Sequence, residues 1–247
     1  ADVEAVQNEL RRRSPKSEGP NAPALRVPGD GQFLDRADQL GERPYEVFLV
    51  RLVFRVRHDD GLGAAVRETG RRVLLIDKPG ATQTYFWIGN VGVAVDYPAR
   101  AELNLANTVF GGRFTSLLVD ELRTKAGLTY SARSALSRPT RPGSFAIVSF
   151  TKTDTTVVAM DLAIELLERM RAEGFSEELV TSGKNYILGQ FAPRLETSSQ
   201  LAGQFSSLQA AGLDASYVND YGAAIAGAAG EDIQSVITRV YPRARNL

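Results

Sequence analysis

No cysteine occurs among the 247 residues, which removes disulfide scaffolds, thiol nucleophiles, zinc fingers and iron–sulfur ligation together. A single histidine, His58, is nearly as restrictive. Histidine-pair zinc motifs need two imidazoles on one helix face, and a Ser-His-Asp relay needs one beside a serine. His58 sits in RVRHDDG, which reads as a strand end entering an exposed turn. Charge of neither sign prevails, with 29 Lys+Arg against 29 Asp+Glu, so no global field draws the chain to nucleic acid or an anionic membrane. No apolar run reaches the roughly 18–20 residues of a spanning helix, and no basic stretch leads into an apolar one at the N-terminus. The chain begins at Ala1 without Met, which leaves room for a leader already removed. The compartment stays open, periplasmic and secreted included. Asp59-Asp60 reads as a turn pair, Glu177-Glu178 as a solvated first helical turn, and no DTG-like triplet signals an aspartic dyad.

What is present organises into two parts. Residues 1–70 read as an N-terminal segment, partly linker, Pro, Gly, Arg and Ser-rich from Arg11 to Gly31. It holds one strand near 45–57, where Phe48, Val50, Leu52, Phe54 and Val56 alternate with Arg51, Arg55 and Arg57. Residues 71–247 read as a compact domain. Strands are expected at Val73–Ile76, Thr82–Val95 (with a possible bulge at Gly89 or Gly92), Leu128–Arg138 and Gly143–Lys152. The turn Asp77-Lys78-Pro79-Gly80 has Pro and Gly at the positions such turns favour. Helices are expected at Pro98–Val109 and Arg113–Lys125, the second with a stripe of Phe114, Leu117, Leu118 and Leu122. A long helix follows from an N-cap at Asp154 to a stop at Gly174. Ser176 opens a further helical stretch reaching Ala211, kinked at Pro193, and two short helices cover Ser216–Ala229 and Glu231–Tyr241. Strands first and helices afterwards predict an α+β fold, an antiparallel sheet with helices packed on one face.

The run FGGRFTSLLVDELRTKAGLTYS, Phe110 to Ser131, carries the chemistry. Arg123 falls in a last helical turn, Tyr130 near the next strand, and Gly127 between them can reverse the chain in the left-handed conformation. Both side chains can then point into one cleft. A guanidinium and a phenol supply fixed donors for a peptide carbonyl or for the oxyanion formed when it is attacked. The same residues also have ordinary explanations. The helix macrodipole favours a cation in the last turn by about 0.3–1 kcal/mol, and tyrosine is a common strand residue. Glu121 and Lys125, at i and i+4, need no function. Gly111-Gly112 offers an anion cradle at a helix start, but no Lys-Ser/Thr follows to complete a phosphate loop.

From about Arg72 to Leu247 the chain resembles the second, non-zinc domain of the pitrilysin/insulinase family, zinc peptidases with the inverted HxxEH motif that include mitochondrial processing peptidase. The resemblance rests on PGATQTYFWIG, on FGGRFTSLLVDELRTKAGLTYS and on the long helix after them. It implies a processing peptidase-like α/β roll. It also implies that Arg123 and Tyr130 are the family pair that lies across the cavity from the zinc half and holds the substrate backbone or its transition state.

The resemblance sets the functional expectation. HxxEH is absent, so no zinc is expected in this chain, and zinc, activated water and general-base glutamate belong to an HxxEH-bearing partner subunit or domain. The chain then acts as the substrate-binding half of a two-part metallopeptidase, with peptide lying extended on a strand edge, or else as a catalytically silent scaffold subunit of the same fold. The last apolar strand of the family, beyond Asn246-Leu247, is expected to be missing, which would expose a sheet edge and invite homo- or heterodimer formation.

Overall fold

The structure, a computed structural model, describes the strand Phe48–Arg51 together with residues 73–76, 78 and 80–247. Five strands form one sheet: β1 Phe48–Arg51, β2 Leu74–Ile76, β3 Gln83–Val91, β4 Ala132–Ser137 and β5 Ser144–Lys152, in the order β2-β1-β3-β5-β4. Three of the four pairings are antiparallel; β1 alone runs parallel to β3, with Phe48 opposite Thr84. The strand expected near 45–57 thus enters the sheet through four residues, and the rest of that stretch lies outside the described residues, as does His58. No bulge interrupts β3, because Gly89 faces Ala146 in an unbroken register.

Alternation along β3 and β5 decides which side carries the core. Phe86 and Ile88 on β3, with Phe145 and Ile147 on β5, are buried on the face that receives the helices. On the other face Tyr85 stacks on Phe150 at 5.0 Å and Trp87 is exposed. The helices are α1 Arg100–Asn107, α2 Leu117–Val119, α3 Thr156–Glu173, α4 Glu177–Phe191, α5 Ser198–Ala210, α6 Ser216–Asn219, α7 Tyr221–Gly227 and α8 Gly230–Val240. Leu103 and Leu105 of α1, Ala163 and Leu167 of α3, and Ile233, Val236 and Ile237 of α8 complete one core. Phe145 and Tyr241 meet edge to face there at 4.8 Å, with Phe110 beside both. This is the expected α+β arrangement.

Local signals hold at most boundaries. Gly174 ends α3 at φ +72°, the Ser176 hydroxyl accepts from the Leu179 amide at 3.3 Å, and Pro193 sits in a 3-10 turn between α4 and α5. Asp154 is not the cap of α3. A 3-10 turn, Thr153–Thr155, precedes the helix, and threonine hydroxyls hold it: Thr156 Oγ1 donates to the Thr153 carbonyl at 2.8 Å, and Thr151 and Thr155 pair at 2.7 Å.

Two insertions of π-helix shape the half of the fold next to β4. α1 continues as a π segment, Thr108–Gly112, and α2 as another, Asp120–Lys125. The first brings Gly111 against β4 so closely that a Cβ there would stand 2.4 Å from the Ser134 nitrogen and 2.6 Å from Leu118 Cδ1. The glycine pair therefore serves backbone approach at a helix end; it is not an anion cradle at a helix start. Asn107 secures the contact by accepting a 2.7 Å bond from Ser134 Oγ.

Gly111→Ala should lower stability by about 1–3 kcal/mol through overpacking. By contrast, Gly203→Ala in α5, where no atom lies within 4 Å of the added carbon, should raise it by roughly 0.5–1 kcal/mol. Urea midpoints of the two variants check the pair. Burial pushes the Tyr241 phenol far above the ordinary tyrosine range, and Arg138 draws it back only in part. Above about pH 10 the unfolded chain releases this proton while the folded one keeps it, so stability present at lower pH is lost as pH rises. Tyr241→Phe should flatten that alkaline decline without lowering the midpoint at neutral pH, since its hydroxyl has no hydrogen-bond partner among the described residues.

Candidate functional site

Arg123 lies within the second π segment, which ends on wide hydrogen bonds: the Ala126 amide donates to the Glu121 carbonyl at 3.0 Å and the Leu128 amide to the Leu122 carbonyl at 2.9 Å. Gly127, at φ +63°, makes the expected reversal. The loop after it is pinned from below. Buried Thr151 on β5 donates to the Leu128 carbonyl at 2.6 Å, and buried Ser149 donates to the Ser131 carbonyl at 2.9 Å. Thr129 closes a small turn on Ser131. Tyr130 is carried outward on this fixed loop and is 72% exposed.

The structure brings the two predicted residues together. The Arg123 guanidinium carbon stands 4.6 Å from the centre of the Tyr130 ring, a cation–π contact. Tyr130 is exposed and Arg123 half-buried where they meet, and the groove near α4, lined by Glu177, Glu178, Thr181, Ser182 and Asn185, does not include them. Arg123 makes no hydrogen bond or ion pair with any described residue. The carboxylates of its own turn are committed elsewhere. Glu121 binds Arg169 of α3 at 3.1 Å and Lys125 at 3.2 Å, and Lys125 also holds Asp120 at 2.9 Å. Those bonds, Asp120 first, raise the Lys125 pKa. Exposed pairs of this kind add about 0–1 kcal/mol to stability, so their main effect here is to leave the Arg123 charge unopposed.

Phe114 departs from the sequence reading. It does not join the stripe of Leu118 and Leu122, which are buried, because the first π segment ends at Gly112 and α2 begins only at Leu117. Arg113 is extended, at φ −137° and ψ 165°, and Ser116 takes the N-cap position. Between them polarity is inverted. Arg113 turns inward, 8% exposed, where its Nη1 donates to the Ser182 carbonyl at 2.9 Å and the Ser182 hydroxyl at 3.0 Å. Phe114 turns outward, 72% exposed, with its ring 4.9 Å from the Arg123 guanidinium carbon. Burying a phenylalanine is worth about 1.5–3 kcal/mol. A cation–π contact at an exposed site returns only about 0.5–1 kcal/mol. Residue spacing suggested a core position for Phe114; the one available hint was Ser116, a residue type that starts helices.

A family model described as the peptidase M16 inactive domain matches residues 60–187, more than half of the sequence. The chain belongs to this family. It is 24% identical over 182 residues to an uncharacterized zinc protease of Streptomyces coelicolor, a match that covers 74% of this chain and 39% of that protein. Among solved structures, a peptidase M16 inactive domain from Pseudomonas fluorescens superposes with a TM-score of 0.63 at 21% identity, covering 67% of this chain and 40% of that one. A protease from Helicobacter pylori gives 0.65 at 17% identity, covering 77% of this chain and 46% of that one. The chain thus spans less than half the length of these relatives. As a member of the inactive-domain family it is not expected to hold the catalytic zinc, and among the described residues no group of three or more His, Cys, Asp or Glu could bind a metal. Nor is any described helix long and apolar enough to cross a membrane.

Removing the bonds that hold Arg113 to Ser182 should loosen the segment that presents Phe114. Arg113→Ala is expected to cost about 1–3 kcal/mol, since two hydrogen bonds from a buried cation are lost. Urea denaturation measures it, and an unchanged midpoint would mean that Arg113 does not anchor the loop.

Proposed function

We propose that this chain is the substrate-binding, non-zinc half of a two-part M16 metallopeptidase, and that Arg123 and Tyr130 hold the carbonyl of the peptide bond to be cut. The observation that carries the reading is the guanidinium of Arg123, which no described carboxylate contacts, 4.6 Å from the ring centre of the exposed Tyr130. An arginine keeps its charge at every working pH and presents rigid N–H donors, and tyrosine adds one hydroxyl donor. Donors fixed before the reaction stabilise the oxyanion better than they bind the flat carbonyl, which is the difference that accelerates attack. The HxxEH-bearing partner would supply the zinc and the water it activates. Peptide would lie across the exposed surface of Phe114, Arg123 and Tyr130.

Arg123→Ala and Tyr130→Phe should leave the fold intact and lower turnover of the chain assembled with an HxxEH zinc peptidase partner. The expected loss is about 10²–10³-fold for the arginine, the scale of one oxyanion donor, and less for the phenol. Zinc-dependent peptide cleavage is the measurement. Unchanged turnover in both variants removes the assigned role, and no gain of cleavage with any HxxEH partner favours a scaffold subunit instead.

A further inference from the structure

The inversion at Arg113-Phe114 works against stability twice: a guanidinium is buried without contact to any described carboxylate and a phenylalanine ring is left exposed. The ring leaves the core because the helix restarts only at Leu117, and Arg113, bonded to Ser182 69 residues away in the sequence, anchors the segment in that course. The ring that results is not loose on the surface. It stands over the same guanidinium as Tyr130, so that one charged group and two aromatic rings form a continuous patch.

We propose that Phe114 is a specificity-determining residue: its ring receives an apolar or aromatic side chain of the peptide residue next to the carbonyl held by Arg123. The inference rests on the reading of Arg123 and Tyr130 given above and adds the class of side chain the site selects. In an extended peptide the residues advance about 3.3 Å each, so a neighbouring side chain falls within reach of a ring 4.9 Å from the guanidinium carbon. A flat exposed ring rewards aromatic and branched apolar groups through stacking and area removed from water. The adjacent Arg123 charge, with no described carboxylate in contact, disfavours a lysine at the same place. Discrimination between apolar residues and glycine through Phe114 should be insensitive to salt, whereas any rejection of lysine should weaken as salt rises.

The test uses the whole 247-residue chain and three fluorescein-labelled twelve-residue peptides that differ only at a central Phe, Gly or Lys, with binding read by fluorescence anisotropy. The wild type should bind the Phe peptide about fivefold or more tightly than the Gly peptide, a ratio on the scale of one aromatic contact. In Phe114→Ala the two affinities should converge to within about twofold, and Phe114→Trp should restore the preference, as only an aromatic surface is needed. Circular dichroism checks that each variant is folded, which the 72% exposure of Phe114 leads us to expect. A preference that persists in Phe114→Ala overturns the inference; if Arg123→Ala meanwhile weakens all three peptides, the carbonyl-holding role survives it. Binding unaffected by Arg123→Ala, or no binding of any peptide by the wild type, overturns both readings together.

Discussion

The close approach of Gly111 to Ser134 governs the arrangement of everything beyond it. A helix end can lie directly on a strand only where no side chain intervenes, and here a single methyl group would overlap the Ser134 amide nitrogen. From that contact the chain must turn sharply outward. It does so through an extended Arg113, re-enters a helix at Leu117, and reaches the π turn that carries Arg123. Phe114 and Arg123, nine positions apart, meet because the starting point of this excursion is fixed.

A second support comes from beneath. The buried face of β5 changes along its length from apolar Phe145 and Ile147 to polar Ser149 and Thr151, and the change coincides with the loop that bears Tyr130. Hydroxyls in a core are costly unless paired, and these two are paired with the loop carbonyls of Ser131 and Leu128. The same strand therefore builds the hydrophobic core at one end and holds the candidate site at the other. Tyr130 sits on a platform with its backbone bonds satisfied, which suits a group that must keep its place while a substrate comes and goes.

How much of this could be seen in the sequence follows from the range of the interactions involved. The strands β3 and β5, the helix α3, its stop at Gly174, the cap at Ser176 and the reversal at Gly127 are written in neighbouring residues, and they were legible. So was the pairing of Arg123 with Tyr130, because only a glycine turn separates them. The inward turn of Arg113 depends on Ser182, and the release of Arg123 from its own carboxylates depends on Arg169, 48 residues from Glu121. Neither dependence leaves a local trace. Phe114 illustrates the point: its spacing from Leu117 and Leu118 fits an apolar stripe, and only the late start of the helix removes it from the core. The parallel placement of β1 beside β3 was beyond the period-two pattern that identified it as a strand, since alternation says nothing of direction.

The π-helical geometry of Asp120–Lys125 has one more consequence, for changes in length and not in residue type. Such a turn closes its hydrogen bonds five residues on and accommodates one residue more than an α-helical turn. Deleting a residue there would let the backbone relax to an α-helix with its bonding intact, and the side chains beyond the deletion would keep nearly the same direction around the axis, because the wide turn had taken up the extra residue. The core contacts of Leu118 precede that point and would survive, and an arginine at the end of the segment would still face Tyr130. A homologous chain one residue shorter in this segment could thus retain both residues, the whole fold and their meeting, so that a fixed count across the turn would reject relatives in which the same pair still comes together.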